Sequence, residues 1–226
     1  MSTPLTGTFD EVHGHDGGNI RKLLRMAVFI APVSADPIST IVDAQNELVI
    51  PDAYESVGVM AKENPLTSTP SITSSEVMGY GYAQPLRRDM VSRTNALAFT
   101  MLESRRQSFE LYYGIDLANV KATPTGGKNE LTFDEPDRPE ALYYRVLTVG
   151  VDGDGANTIY IADFYPRASV TEVSALTASE TDPRSYAVTM GTDADTVLGT
   201  SHRPFFAGPG LNDARLAAMQ FSRATA

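Results

Sequence analysis

The chain has no cysteine and no tryptophan among its 226 residues. Without thiols there can be no disulfide and no thiolate metal site, which suits assembly in a reducing cytoplasm. A chain of this length is long enough to bury a sizeable core without such staples. Histidine is nearly missing as well: His13, His15 and His202 are the whole supply. A histidine-assisted nucleophile would have to use one of these three, and none lies in a serine-nucleophile context. Long apolar runs are also lacking. The longest, Met26 to Val33, falls far short of the roughly 20 residues that span a bilayer. Positive charge is scarce, with 18 Lys and Arg against 28 Asp and Glu, a net charge of −10 and a pI near 4.7. A surface that gripped DNA or an anionic membrane all over needs the opposite balance. The polar, acidic start MSTPLTGTFDEVHGHDGG carries no signal-peptide pattern. These absences predict a soluble protein with no membrane binding.

What the chain does have is punctuation. Fourteen prolines and seventeen glycines break it into short apolar stretches, the spacing of strands joined by turns. Tyr186, Val188 and Met190 alternate with Ala187 and Thr189, and Leu97, Phe99 and Met101 share one side of Asn95 to Leu102. Leu142 to Val151 and Thr158 to Tyr165 are rich in β-branched and aromatic residues, with a turn-like Asp152-Gly-Asp-Gly-Ala-Asn157 between them. A mainly β protein is predicted. Two helices stand out. One is capped by Ser104, carries Phe109, Tyr112 and Tyr113 and is stopped by Gly114; the other is capped by Asn212 or Asp213, with Ala214, Ala217, Ala218 and Phe221 on one face. Ile20 to Ile30 fits a helix at its start and a strand at its end. Residues 1–19, 31–55, 62–75 and 166–183 look irregular. Loops of that length suggest segments that become ordered against another chain.

The search for chemistry comes back empty. Gly79-Tyr-Gly-Tyr-Ala-Gln84 lacks the third glycine of a dinucleotide loop, and Thr125-Gly-Gly-Lys128 lacks both the spaced glycine and the hydroxyl of a phosphate loop. Asp152 to Asn157 departs from a helical calcium loop at its sixth position and, with Asp163, at its twelfth. His13-Gly-His15-Asp16 has only His202 left to complete a metal shell. No spacing singles out a pair of catalytic carboxylates. No catalytic residue, metal ligand or cofactor site is assigned, and an enzyme is the weakest option.

Charge is nevertheless unevenly placed. Five arginines fall between Leu86 and Arg106, in LRRDMVSRTNALAFTMLESRR. On a regular strand, Arg87, Asp89, Val91 and Arg93 would share one face, and Leu86, Arg88 and Met90 the other. Mixed Arg and Asp on one side suits a subunit contact better than a phosphate track, since the guanidinium fork meets carboxylates bidentately. Arg87, Arg88, Asp89 and Arg93 are therefore candidate interface residues. Acidic residues gather instead in 151–200, where Asp152, Asp154, Asp163, Glu172, Glu180, Asp182, Asp193 and Asp195 outweigh Arg167 and Arg184.

The order of elements carries a resemblance. Tyr54-Glu-Ser-Val-Gly-Val-Met60 leads to a Ser/Thr-rich strand region, Thr69-Pro-Ser-Ile-Thr-Ser-Ser-Glu76, and then Gly79-Tyr-Gly-Tyr-Ala-Gln-Pro-Leu-Arg87. The arginine stretch and Ala96-Leu-Ala-Phe-Thr-Met-Leu-Glu103 follow, and Phe109-Glu-Leu-Tyr-Tyr-Gly114 closes the segment. Tyr160-Ile-Ala-Asp-Phe-Tyr-Pro-Arg167 and Arg203-Pro-Phe-Phe-Ala-Gly-Pro-Gly210 come later. This series resembles the major tail proteins, or tail tube proteins, of long-tailed bacteriophages, particularly those of actinobacteria. Val59 stands where that family has a tryptophan. The resemblance covers most of residues 50–210 and implies a β-sandwich with a flanking helix and long loops or arms. Six copies would form a ring with a continuous β-barrel, and rings would stack into a tube that carries the genome into the host cell. It implies a main domain over 51–210, with an N-terminal arm and first elements over 1–50 and a C-terminal helix or arm over 211–226. The implied partners are further copies of the chain, a tape measure, a tail terminator and baseplate or tip proteins. The implied location is the virion tail, assembled in the host cytoplasm. DNA would pass without specific binding, which makes Asp152, Asp154, Asp193 and Asp195 candidates for a phosphate-repelling lumen or rim. Two rivals remain: the tube of a type VI secretion or other contractile injection system, and a β-sandwich capsid decoration or carbohydrate-binding module.

Overall fold

The computed structural model describes residues 6–125, 128–137, 140–176 and 179–223. Among these described residues, ten strands account for most of the regular structure: β1 (Arg25–Pro32), β2 (Glu55–Ser56), β3 (Thr67–Val77), β4 (Arg87–Met101), β5 (Thr123–Thr125), β6 (Lys128–Glu130), β7 (Tyr143–Asp152), β8 (Ile159–Val173), β9 (Tyr186–Thr192) and β10 (Arg203–Ala207). Three helices accompany them, α1 (Phe9–His13), α2 (Arg106–Tyr113) and α3 (Asp213–Ala218). The mainly β expectation holds, with α2 as the flanking helix. The ambiguous Ile20 to Ile30 resolves into β1, whose Val28 and Ile30 point into the core.

Eight strands form one antiparallel sheet, β2-β1-β7-β8-β9-β4-β3, with β10 also on β8. The sheet forks along β8. Residues 160–164 of this 15-residue strand pair with β10, and residues 168–173 pair with β9. A register shift between Tyr144 and Val146 of β7, opposite Ala168 and Tyr165, marks the fork. Bulges of this kind bend a strand, and here one long strand serves two lobes. One lobe is β2-β1-β7-β8-β10, and the other is β8-β9-β4-β3.

Both lobes feed one core. Val28 and Ile30 of β1 and Tyr144 and Val146 of β7 cluster with Leu97, Phe99 and Met101 of β4, with Tyr186, Val188 and Met190 of β9, and with Leu111 of α2. Period-two alternation accounts for these positions, as β9 alternates buried and half-buried throughout. Helix α2 ends as the sequence suggests, at Gly114 with φ +66, where a left-handed residue is needed. Its start differs from expectation. Arg105 is the N-cap and has no acceptor to offer as a side-chain cap, while the Ser104 hydroxyl is engaged 2.9 Å from the Tyr186 hydroxyl.

A second core lies on the other face of β7 and β8. There Leu147, Val149, Ala162 and Phe164 meet Ile38, Ile41 and Tyr54 from the connection between β1 and β2. That connection falls in the stretch 31–55 expected to order only against another chain. It is instead packed on its own subunit, with Ile38, Ile41 and Tyr54 almost fully buried. The Tyr54 hydroxyl donates to the Asp36 carbonyl (2.8 Å), and burial lifts its pKa to about 12. Two other supposed loops are strands: 62–75 contains most of β3, and 166–183 contains the end of β8. In β3 the Ser, Thr and Pro content hid a β pattern that faces solvent. Near the termini, the Asn19 side chain donates to the Ala218 carbonyl (2.8 Å), and Arg215 donates to the Gly18 carbonyl (2.6 Å). Asn212 caps α3 through a bond from the Arg215 backbone N–H, as expected, but Phe221 lies beyond the helix and is exposed.

If the 33–54 connection is part of the folded core, Ile41→Ala removes a fully buried side chain. It should cost about 2–5 kcal/mol in chemical denaturation. A change below about 0.5 kcal/mol would mean the segment is a loose covering.

Candidate assembly interface

The most distinctive surface is the β3–β4 hairpin. Residues 95–101 of β4 pair with β9, whereas residues 87–94 have only β3 beside them. Every residue of β3 is exposed, as is each residue of β4 from Arg87 to Thr94. Half of this hairpin therefore extends past the body as a bare two-stranded ribbon, a structure of marginal stability in water. It also shows apolar side chains: Ile72 is 57% exposed and Met90 68%, with Val77, Met78, Tyr80, Tyr82 and Leu86 toward the tip.

Its faces differ from the sequence expectation. Ser74 pairs with Met90 but Thr73 pairs with Ser92, so Val91 is an extra residue in β4. A one-residue insertion reverses which face each later side chain occupies. Arg93 therefore joins Arg88 and Met90 rather than Arg87 and Asp89. The Arg88, Met90 and Arg93 face, with Ile72, Ser74 and Glu76 across the ladder, continues the side that carries Leu97, Phe99 and Met101 into the core. The opposite face carries Ser71, Thr73, Ser75, Ser92 and Thr94, with Arg87 and Asp89.

Most of the arginine charge is answered within the subunit. Arg87 Nε lies 2.8 Å from Asp89 Oδ2, and Arg88 lies 2.6 Å from Glu76 across the hairpin. Arg105 pairs with Glu103, and Arg106 pairs with Glu55 and, at 2.9 Å, with Glu110. Apart from Arg106–Glu110, whose Glu110 is buried, these exposed pairs are each worth about 0–1 kcal/mol, enough to set geometry but not to hold the fold. Among the described residues, Arg93 has no ion-pair partner. Glu103 does more than neutralise. Its carboxylate accepts the Val59 N–H (2.7 Å), which holds its pKa below the usual range, and it sits where a side chain on Gly58 would be. Gly58, with φ +88, is thus fixed both by backbone conformation and by the glutamate at the end of β4.

The acidic candidates do not form one surface. Asp154 is exposed in the β7–β8 turn, and Asp193 is exposed just after β9. Asp152 is paired with Arg21 at 3.5 Å. Asp195 is a correction: it is buried inside the subunit and cannot line a lumen or rim. It accepts the N–H groups of Val197 (2.8 Å) and Leu198 (3.0 Å) and pairs with Arg145 at 3.2 Å. Arg145, also buried, donates further to the carbonyls of Ala35 (2.7 Å) and Pro166 (3.1 Å). One guanidinium thereby ties the β1–β2 connection, the fork of β8 and the loop after β9. His202 stacks on Tyr165 and bonds Asp163 (2.8 Å), so it is not available to His13 and His15. No cluster of three metal-ligating residues occurs among the described residues. Gly126 and Gly127 of the rejected phosphate-loop reading lie outside them.

A family model described as phage tail tube protein matches residues 14–198, well over half of the chain. The chain belongs to that family. It is a structural subunit of the tail tube, a component of the virion tail and not an enzyme. No curated protein is significantly similar to it in sequence. Among solved structures, a chain of the anti-feeding prophage baseplate, a cryo-electron microscopy structure with six-fold symmetrisation, is similar at 10% identity and a TM-score of 0.42, covering 91% of this chain and 97% of that one. A crystal structure of an Hcp protein is similar at 11% identity and a TM-score of 0.31, covering 80% of this tail tube subunit and 98% of the other chain.

Sequence reasoning about the tail tube subunit missed Ile72 as an exposed apolar residue, and it had β3 only through the resemblance, which gave Thr69 to Glu76 as a Ser/Thr-rich strand region. The signal was present in Thr67 to Ser75, a β-capable stretch without one charge. It also missed Arg145, which reads as an ordinary polar break in an apolar strand. The hydrogen bonds from Leu198 and Val197 hold the Asp195 carboxyl below the usual aspartate range. Because its folded pKa is depressed, its contribution is full above about pH 4 and is lost as pH falls through the folded value. Asp195→Asn should therefore lower the melting temperature most at neutral pH, with the gap to wild type closing on acidification. A gap independent of pH would show that the carboxylate charge is not what stabilises this site.

Proposed function

We propose that six copies of this tail tube subunit close into a ring, that rings stack into a hollow conduit for the genome, and that the β3–β4 hairpin makes the contact to neighbouring copies. The observation that carries this reading is the ribbon formed by residues 71–77 and 87–94. It has no body of its own to pack on, yet it bears exposed apolar residues on an otherwise acidic chain. Arg88, Met90, Arg93 and Ile72 form the contact face. Arg93 is the charge free to meet a carboxylate of a second copy, and interface arginines are favoured where such a fork is desolvated. Arg87 and Asp89, on the opposite face, pair with each other and stiffen the strand. The tip, with Tyr80 and Tyr82, reaches toward the adjacent ring. A repeated head-to-tail contact with translation gives an open stack, so length is set from outside, by a tape measure and a terminator. Baseplate or tip proteins would take the free end. Asp154 and Asp193 are the acids left at the surface to repel DNA at a rim, with Asp152 held back by Arg21.

Negative-stain electron microscopy of the concentrated wild-type chain should show rings or hollow tubes. Reversal of both face charges, Arg88→Glu with Arg93→Glu, should leave a monomer in sedimentation velocity, with a melting temperature within a few degrees of wild type. Normal tubes from that variant would refute the contact face.

A further inference from the structure

A cleft of about 490 Å³ opens beside α2, between Glu55 of β2, the end of β1 and the start of β7. Its wall is apolar, built from Ile30, Pro32 and Leu142 with the side chain of Tyr144. Its charged groups are three carboxylates, Glu55, Glu110 and Asp116, against one guanidinium, Arg106, a local formal charge of −2. We propose that this cleft receives Arg93 of a neighbouring copy, the guanidinium entering beside Glu110 and Asp116 while Met90 and Ile72 meet the apolar wall. This rests on the ring reading above and names the surface that answers the Arg93 face.

Three observations support it. First, the acceptors in the cleft are only partly used. Glu110 is buried, yet among the described residues only its Oε1 is engaged, by Arg106 Nη1 (2.9 Å) and the Leu117 N–H (3.2 Å). Asp116 uses one oxygen on the Ala118 N–H (2.9 Å). The Tyr144 hydroxyl, on a nearly buried side chain, makes no hydrogen bond among the described residues. Burial raises the pKa of Glu110, and burial together with the Glu110 and Asp116 charges raises that of Tyr144, as expected where countercharge is incomplete. Second, a guanidinium fits that deficit better than water does. It offers five donors in one plane to separate acceptors, and its weak hydration lowers the cost of leaving solvent. Water would meet the acceptors but leave Pro32 and Leu142, which the subunit itself does not bury, in contact with solvent. Third, Arg93 is the matching donor. It is exposed, has no ion-pair partner among the described residues, and shares its face with the exposed Met90 and Ile72. The ribbon and the cleft lie toward opposite ends of the strand order β2-β1-β7-β8-β9-β4-β3. The contact therefore joins two different surfaces of the chain, as a head-to-tail ring requires.

The cleft is also prepared for its occupant. Arg106 reaches both Glu110, one helical turn on, and Glu55 of β2, so two of the carboxylates are held in place before a partner arrives. Groups already fixed in position lose less freedom on binding. The acidic chain repels its own copies, and a cleft of −2 facing a lone guanidinium selects an orientation in which that repulsion is locally reversed. Once the contact is closed, removing either side leaves the other charge covered and unpaired. The pair thus governs how readily copies assemble, not how the subunit folds.

The test is a double-mutant cycle on the concentration at which tubes sediment, using Arg93→Ala, Asp116→Asn and the two together. Both residues are exposed, so the variants should melt within a few degrees of wild type. Each single change should raise that concentration at least about tenfold, since one charge is left unpaired. The double change should raise it no more than about twofold beyond the larger single effect, because the contact is already lost. Asp154→Asn, in the turn at the far end of β7 from the cleft, should instead combine with Arg93→Ala by multiplication of their separate effects. Multiplication for Asp116→Asn, or no effect of either single change, would overturn the proposal. A wild-type chain that forms no rings or tubes would overturn the ring reading beneath it. If either single variant fails to assemble at all, carboxyl footprinting of the wild-type chain decides. Carbodiimide labelling of Asp116 and Glu110 should fall at least about fivefold from monomer to tube, as water is excluded from the contact. Equal labelling in both states would reject the cleft as a contact.

Discussion

A strand needs a neighbour on each side or water on the open one, and β4 has too few neighbours for its length. It runs for 15 residues, yet only its second half lies between two strands. Its first half, with β3, makes a ribbon whose apolar Ile72 and Met90 are in water. Burying each would contribute on the order of 1–3 kcal/mol. The subunit is thus complete as a folded core and incomplete as a surface. That imbalance favours association, whereas the net charge of −10 opposes it at long range. Contacts must then be specific and close, which is what an apolar ribbon face flanked by an unpaired Arg93 supplies.

The folded core depends on a second constraint, the fork along β8. One strand cannot serve two lobes without local irregularity, and the buried polar groups cluster there. Arg145 is costly to bury unless every donor is met. Here Nε donates to the Ala35 carbonyl and Nη1 to Asp195 and the Pro166 carbonyl. The β1–β2 connection is fixed by the same group, so the second core and the fork stand or fall together. Near the other end of the lobe, Gly58 and Glu103 lock the segment before β3 to the end of β4.

Much of this was legible in the sequence. Alternation gave β9, the buried half of β4 and the β7–β8 pair, and Gly114 and Asn212 marked helix boundaries where the structure has them. The order of motifs carried the family. What escaped was of two kinds. Strand β3 is polar apart from Ile72 and Val77, so period two leaves little mark on it, and only the resemblance gave Thr69 to Glu76 as a strand. The bulge at Val91 has no local signature, since nothing about a valine announces an extra residue in the ladder. That one insertion moved Arg93 to the other face. Asp195 was misread for a related reason: acidity in composition says nothing about which carboxylate finds a buried guanidinium.

The central claim is that the β3–β4 ribbon is completed by a second copy of the chain. A cryo-electron microscopy reconstruction of the assembled tube, at a resolution that separates strands, tests it most directly. The account predicts six-fold rings in which Met90 and Ile72 are covered by the neighbouring subunit. A tube in which Ile72 and Met90 still face solvent would contradict it.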